Sequence, residues 1–367
     1  LPGFVDAHEH PVMLADFSKK ISSLPPKVNS IEELKQAIHD VRKVQGPSKW
    51  IEGWGYDEGK LSEHRSPTRW DLDEGCSDSP VSIIRTCGHI RCVNSKALEM
   101  AGINKDTPDP QGGQIDRDEN GEPTGVLRES ARNLVTPLIP ETTEAQKVDL
   151  VVDLGKLLAS QGITATCDMG NLDLSDSYDT YTKAIAKGFC QKVGIYYMWE
   201  FFASDSGFQI PPERFDRTNQ IFAAGLKLIG DGSVSGRTAW MNEPYLDSDE
   251  CGFPVCSDEL MESAIAYCKE HRCQLSMHCM GGHAIDRIVD RVYAEDKWTD
   301  GDVPHLRMEH WTEPSKRAIQ RSAEKGLAVA TQPIFLYAEI ESYLANLGVE
   351  RMQNTYPVQA ILKAGVP

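Results

Sequence analysis

Seven short apolar or β-branched runs alternate with helical patterns along most of this chain, and that alternation restricts the fold more than any other feature. The runs are Phe4–Ala7, Thr164–Asp168, Val193–Met198, Leu226–Ile229, Gln274–His278, Leu306–Glu309 and Leu327–Thr331. Between them the helix signals are local and specific. Ser30 followed by Glu33 forms a capping-box pattern that predicts a helix near 31–44. Thr143 with Gln146 opens another that runs to about Ser160 and stops at Gly162, a suitable glycine for a helix C-terminus. Further helical patterns cover 258–271, 283–295 and 314–325. Strands separated by single helices imply βαβ units and a parallel sheet. The expected fold class is α/β, a (β/α)8 TIM-type barrel, which closes with eight strands. The eighth would begin at about the last residues, so the chain reads as a barrel cut before strand eight.

The alternation lapses once, between roughly residues 50 and 140. That stretch holds Trp50, Trp54 and Trp70 and the polar, turn-rich segment Thr107–Thr124. Three tryptophans argue for a packed unit instead of a long surface loop. The expected organisation is therefore residues 1–49 as the barrel start with the first strand and helix, 50–139 as an insertion subdomain over one barrel mouth, and 140–367 as barrel strands two to seven. Both ends read as cut. The chain opens on Leu-Pro-Gly-Phe-Val, entering a strand, and stops at Gly365-Val366-Pro367, where another should start.

Charge and cysteine usage exclude some partners. The formal net charge of −17 argues against a phosphate-backbone partner. No apolar run approaches the roughly 18 residues a membrane span needs. The ten cysteines include no C-x-x-C pair, and Cys167, Cys268 and Cys279 fall in apolar segments. They read as free thiols packed as small hydrophobes. With no N-x-S/T sequon present, a cytoplasmic setting is expected, with homo-oligomerisation left open.

The chemistry-bearing residues sit on strand ends. His8-Glu9-His10 ends the first run. Residues i and i+2 of a strand share a face, so both imidazoles can face the barrel centre while Glu9 points away. Two imidazoles there suit one divalent metal, although H-x-H alone is a weak signal. His278 and His310 also lie at strand ends, where a lone histidine is more often a core residue. His39, His64, His271 and His305 read as solvated, and His283 as a helix-start residue able to touch substrate.

Set in order, several segments resemble a known family. Pro2 to His10 resembles the opening signature of the amidohydrolase superfamily. Other segments resemble its YtcJ-like branch of metal-dependent hydrolases, which includes N-substituted formamide deformylases. These are Gly53-Trp54-Gly55-Tyr56-Asp57, Gly88 to Leu98, Lys227 to Ser233 with Arg237-Thr238-Ala239, Met277-His278 through His283-Ala284, and Arg307 to His310. The matches span nearly the whole chain and are specific for the branch, not for a substrate.

The resemblance implies roles. His8 and His10 would bind the more buried metal, a carbamylated Lys227 would bridge two metals, and His278 and His310 would bind the second. The cofactor would be one or two divalent ions, zinc first. Lys227 lies in the apolar run Gly225–Ile229 and must reach a partner. Carbamylation accounts for it, and so would an ion pair with Asp231. Trp54, His89 and Asn94 are candidates to line a substrate pocket. Asp231 and Arg237 are candidates to contact substrate or to hold Lys227.

The implied activity is hydrolysis of a C–N bond in a small amide, formamide or cyclic amide by a metal-activated water. The family's general base, an aspartate in a Gly-Ser-Asp type motif, is expected beyond Pro367, since residues 1–367 contain no such motif. The polypeptide as it stands is therefore expected to be inactive. Two alternatives come from other classes: a non-catalytic sensor or regulator on the same barrel, and an esterase or phosphoesterase on that scaffold.

Overall fold

The computed structural model describes residues 2–86, 90–170, 176–203 and 207–367. The chain divides into two compact units, one of residues 1–12 with 151–367 and one of residues 13–150.

The chain starts in the first unit with β1 (Phe4–Glu9). It then builds the second unit around a six-stranded sheet of β2 (Ile21–Ser22), β3 (Ile51–Tyr56), β4 (Val81–Arg85), β5 (Ile90–Val93), β6 (Gly113–Arg117) and β7 (Pro123–Glu129), in the order β2-β3-β4-β5-β7-β6. β2, β3 and β4 run parallel, and the remaining pairs are antiparallel. The helix Ile31–Gln45 buries Ile31, Leu34 and Ile38 in one cluster with Ile51 and Ile83 of this sheet. Ser30 caps it as the sequence suggests, accepting from Glu33 N. The Glu33 carboxylate turns instead to Asn29 N at 2.7 Å.

This sheet corrects the expected boundary. The second unit begins at Met13 and not near residue 50. The reason is pairing: β2 docks on β3, and the apolar stripe of the helix Ile31–Gln45 packs into the same core.

The chain returns to the first unit through the helix Glu144–Ser160, which starts beyond the reciprocal Thr143–Gln146 bonds. There follow β8 (Ile163–Asp168), β9 (Lys192–Met198), β10 (Ile221–Ile229), β11 (Gln274–Cys279), β12 (Leu306–His310) and β13 (Ala328–Ala330). With β1 they form a parallel seven-stranded sheet in the order β1-β8-β9-β10-β11-β12-β13. Each run expected from the sequence is a strand of it. The helices Asp258–Glu270, Gly282–Tyr293 and Lys316–Lys325 alternate with the later strands.

The sheet curls into a nearly closed barrel. Its two end strands are β1 and β13, yet His8 on β1 hydrogen-bonds Glu309 on β12 across the interior. At the rim of β13, Val329 N donates to Pro367 O at 3.0 Å. Among the described residues no helix is long and apolar enough to cross a membrane.

Candidate metal centre in the barrel

Four histidines meet at the C-terminal ends of β1, β11 and β12. The His8 ring lies 5.5 Å from His10 and 4.8 Å from His310, and His278 lies 4.5 Å from His310. The two-residue spacing works as expected on β1, where Glu9 turns to the neighbouring strand and accepts from Thr166 Oγ1 at 2.8 Å. On β12 the backbone departs from regular strand. His310 has φ +69° and Trp311 φ +53°, a left-handed pair that non-glycine residues seldom adopt. Trp311 N donates to Cys279 O and Glu309 O at 3.0 and 2.9 Å. Thr331 Oγ1 donates to His310 O at 2.8 Å, so β13 helps fix the bend.

One nitrogen on each of three rings already has a protein partner. His8 Nδ1 pairs with Glu309 Oε2 at 2.6 Å, His10 Nδ1 with Gly170 O at 2.8 Å, and His278 Nε2 with Gly232 O at 2.9 Å. Such contacts are typical of ligand histidines, because they fix ring orientation and tautomer. His310 Nδ1 is buried without a hydrogen-bond partner. Burial lowers the proton affinity of all four rings, with the nearby Lys227 adding to the effect, and His278 falls to about 3. The neutral imidazole that results is the form that binds metal.

Glu309 was not singled out by the sequence, yet it organises the interior. Besides His8, it accepts from Ser276 Oγ at 2.7 Å and Arg307 Nη2 at 3.0 Å. Burial would raise its carboxyl. The hydrogen bond from His8 and the charges of Lys227 and Arg307 outweigh that and hold it at about 2. Arg307 also donates to Ala7 O, which ties β12 to β1.

Lys227 is a second unsatisfied member of the cluster. It is 2% exposed, and its Nζ has no hydrogen-bond partner. Burial first, with the Arg307 charge, brings its amine down to about 8 against the pull of Glu309. The ion pair with Asp231 entertained from the sequence does not form. Asp231 accepts instead from Trp240 N, Met280 N and Gly281 N at 2.9, 2.9 and 2.8 Å. It is fully buried, 3.7 Å from His278 Nε2, and its three bonds join the loop after β10 to the end of β11. That junction needs Gly281, where a Cβ would come within 2.1 Å of Trp240 O.

The other expected substrate contacts fare unevenly. Arg237 Nε donates to Asn346 Oδ1 at 2.7 Å, so it braces the loop from a left-handed backbone of φ +56°. Asn94 is completely buried in the second unit. Its Oδ1 accepts from Val81 N and Ala97 N, and its Nδ2 donates to Cys76 O and Ser79 O. All its hydrogen-bonding capacity is in use, which corrects the substrate-lining role to a structural one. Trp54 stacks on Phe17 at 5.3 Å in the second unit. His89 lies outside the described residues. His283 stacks on Trp240 at 4.0 Å. His305, expected to be solvated, is 1% exposed and packs against Trp298 at 4.5 Å.

The donor set fits a divalent metal: neutral imidazoles, the orphaned His310 Nδ1, and the buried Lys227 amine without a hydrogen-bond partner. Among the described residues no three His, Cys, Asp or Glu side chains converge as a finished metal cage. The fit therefore rests on donor chemistry and burial.

A parallel barrel with a histidine cluster at its strand ends is an architecture suited to metal-assisted chemistry. The chain belongs to the amidohydrolase family, whose model matches residues 1–367. It is similar to YtcJ of Bacillus subtilis, 28% identical over 369 residues covering 100% of this chain and 68% of that protein. It is also similar to the N-substituted formamide deformylase of Arthrobacter pascens, 26% identical over 383 residues covering 100% of this chain and 69% of that one. Its fold is shared with a metal-dependent hydrolase from Pyrococcus horikoshii OT3, at a TM-score of 0.71 and 24% identity over 99% of this chain and 69% of the other.

Proposed function

We propose that this barrel is the catalytic unit of a metal-dependent hydrolase that cleaves C–N bonds in amides, formamides or cyclic amides. The observation that carries the reading is the meeting of His8, His10, His278 and His310 around Lys227, whose buried amine has no partner. The relative named as a formamide deformylase supports the same bond class.

His8, His10, His278 and His310 would hold one or two divalent ions, with zinc suited to the nitrogen-rich set. A metal bound there supplies a Lewis acid for the carbonyl and an activated water as nucleophile. The protein's own part is positioning. Glu309 and the carbonyls of Gly170 and Gly232 orient three rings. A neutral Lys227 amine can attack carbon dioxide, forming an N–C bond and releasing the amine proton to solvent. The anionic carbamate so formed would give this interior a further oxygen ligand and allow a second ion.

Elemental analysis and an amide panel test the reading. The full-length protein should contain metal and hydrolyse at least one amide, and its His8→Ala/His10→Ala double variant should lose metal and at least about 100-fold in turnover. Equal metal content in both proteins would reject the ligand assignment. Turnover of esters alone would reject the bond class.

A further inference from the structure

Glu200 stands apart from the other acids of the barrel. It lies in the short helix Trp199–Phe202 that directly follows β9. On the sheet, Met198 of β9 pairs with Lys227 of β10, so the chain that follows Met198 leaves β9 at the end of the barrel where Lys227 and the histidines gather. The residue before Glu200 turns away from that end. Trp199 Nε1 donates to Ser263 Oγ at 2.8 Å, and its ring lies 4.8 Å from Tyr267, both on the helix Asp258–Glu270.

Glu200 is half-buried, and its carboxylate lies against its own backbone N–H. Its Oε2 is buried with no hydrogen-bond partner, and among the described residues it is the carboxylate oxygen in that condition. The other interior acids are occupied. Glu309 serves His8, Ser276 and Arg307. Asp231 serves three backbone N–H groups. Asp168 accepts from Tyr181 Oη and Gly170 N, and Glu9 from Thr166. Burial raises the Glu200 carboxyl from its usual range, and the nearby charge of Lys227 works the other way, favouring the ionised form. A buried acceptor left unpaired costs stability. An ionised carboxylate has only acceptor sites, so its missing partner must bring a hydrogen-bond donor.

We propose that Glu200 is a specificity-determining residue that accepts a hydrogen bond from an N–H of the substrate. This inference rests on the C–N hydrolase reading above and narrows it. The favoured substrate is an N-monosubstituted amide or formamide that keeps its N–H, and the nitrogen side of the scissile bond lies toward the end of β9. Tertiary amides, which lack that donor, leave the carboxylate unpaired in the complex and are discriminated against.

The test uses the metal-loaded protein, the best secondary amide of the panel, and the same amide methylated on nitrogen. The readout is the ratio of the two kcat/KM values, with metal content measured in parallel. The wild type should favour the N–H substrate. Glu200→Ala should lower that ratio roughly 10- to 100-fold, the range of a hydrogen bond to a charged group. Glu200→Gln retains an acceptor oxygen and the side-chain shape, so it should lie between the two and also serves if the alanine variant fails to fold. Metal content should not change. An unaltered ratio in the folded variants would overturn the inference, as would an equal fall on both substrates accompanied by lost metal. A full-length wild type inert toward every amide would sink the C–N hydrolase reading and this inference with it. An active wild type whose variants keep the ratio would sink this inference alone.

Discussion

Each unit buries a polar cluster, and the two clusters are opposite in kind. In the second unit, Asn94 makes every hydrogen bond its amide allows, with Val81, Ala97, Cys76 and Ser79. In the first unit, Lys227 Nζ, His310 Nδ1 and Glu200 Oε2 are buried with no partner. Folding alone accounts for the Asn94 cluster, because a satisfied buried amide joins loop, strand and helix at little net cost. Folding does not account for the Lys227 cluster. An apolar side chain in its place would avoid the desolvation penalty. That is the difference expected between a polar group kept for structure and one kept for a ligand, the role proposed for Lys227.

Replacing Lys227 tests that separation most severely. Lys227→Met fills similar volume and removes the unpaired amine. Thermal stability of the metal-free protein should hold or rise, since exchange of a buried charge for a packed hydrophobe is often neutral or favourable. Amide turnover should fall by at least about 100-fold, and the metal per chain should drop. A variant that unfolds while its remaining folded fraction keeps full activity would place Lys227 with Asn94, among structural groups.

The barrel was legible in the sequence because its central strands, β9 to β12, are buried on both faces. β10 reads Ile-Phe-Ala-Ala-Gly-Leu-Lys-Leu-Ile, a nearly unbroken apolar run that periodicity finds directly. The second sheet was not legible for the converse reason. β2 has two residues and β5 four, and their partners lie far along the chain, so local pattern held too little signal. The same blindness put the unit boundary near residue 50, whereas the unit starts at Met13 and its strand pairing at Ile21. The histidines were found because i, i+2 spacing and strand-end position are local features. Glu309 was missed because strict alternation lets only one of Glu309 and His310 face inward. The left-handed backbone at His310 and Trp311 relaxes that rule, and nothing in a His-Trp pair announces a positive φ. One signal was available: Glu309 is a charge two residues after Arg307 in an otherwise apolar strand, the same anomaly that drew attention to Lys227.

Asn94 offers the reverse experiment. Asn94→Ala removes the cap of the helix Ser95–Met100 and strands Cys76 O, Ser79 O and Val81 N. Loss of a cap costs about 0.5–2 kcal/mol, and each buried group left unpaired adds about 1–3 kcal/mol unless water reaches it. Denaturant unfolding should show a loss of roughly 3 kcal/mol or more. Metal content and kcat/KM per folded molecule should stay at the wild-type level. Altered discrimination among amides without loss of stability would return Asn94 to the substrate pocket.

The smallest effect concerns a polar group near the surface, where the contrast between the units should fade. Asp71 in the second unit accepts from Arg65 Nη1 and Nη2 at 2.7 and 2.8 Å and from Thr68 N at 2.8 Å, closing the start of the helix Arg69–Gly75. Burial would raise its carboxyl, but the hydrogen bonds from Arg65 and Thr68 prevail and lower it from 3.8 to about 2. A carboxyl depressed in the folded state binds its proton more readily in the unfolded one. Its stabilisation is therefore fully present above about pH 4 and is lost as the pH falls through about 2. Because Arg65 is largely solvent-exposed, screening limits the effect to about 1 kcal/mol or less. Unfolding of the wild type and Asp71→Asn, followed by denaturant between pH 6 and 2, should give a difference that is constant above pH 4 and shrinks below it. A difference that holds constant to pH 2 would mean that the shape of the Asp71 side chain, and not its charge, caps the helix.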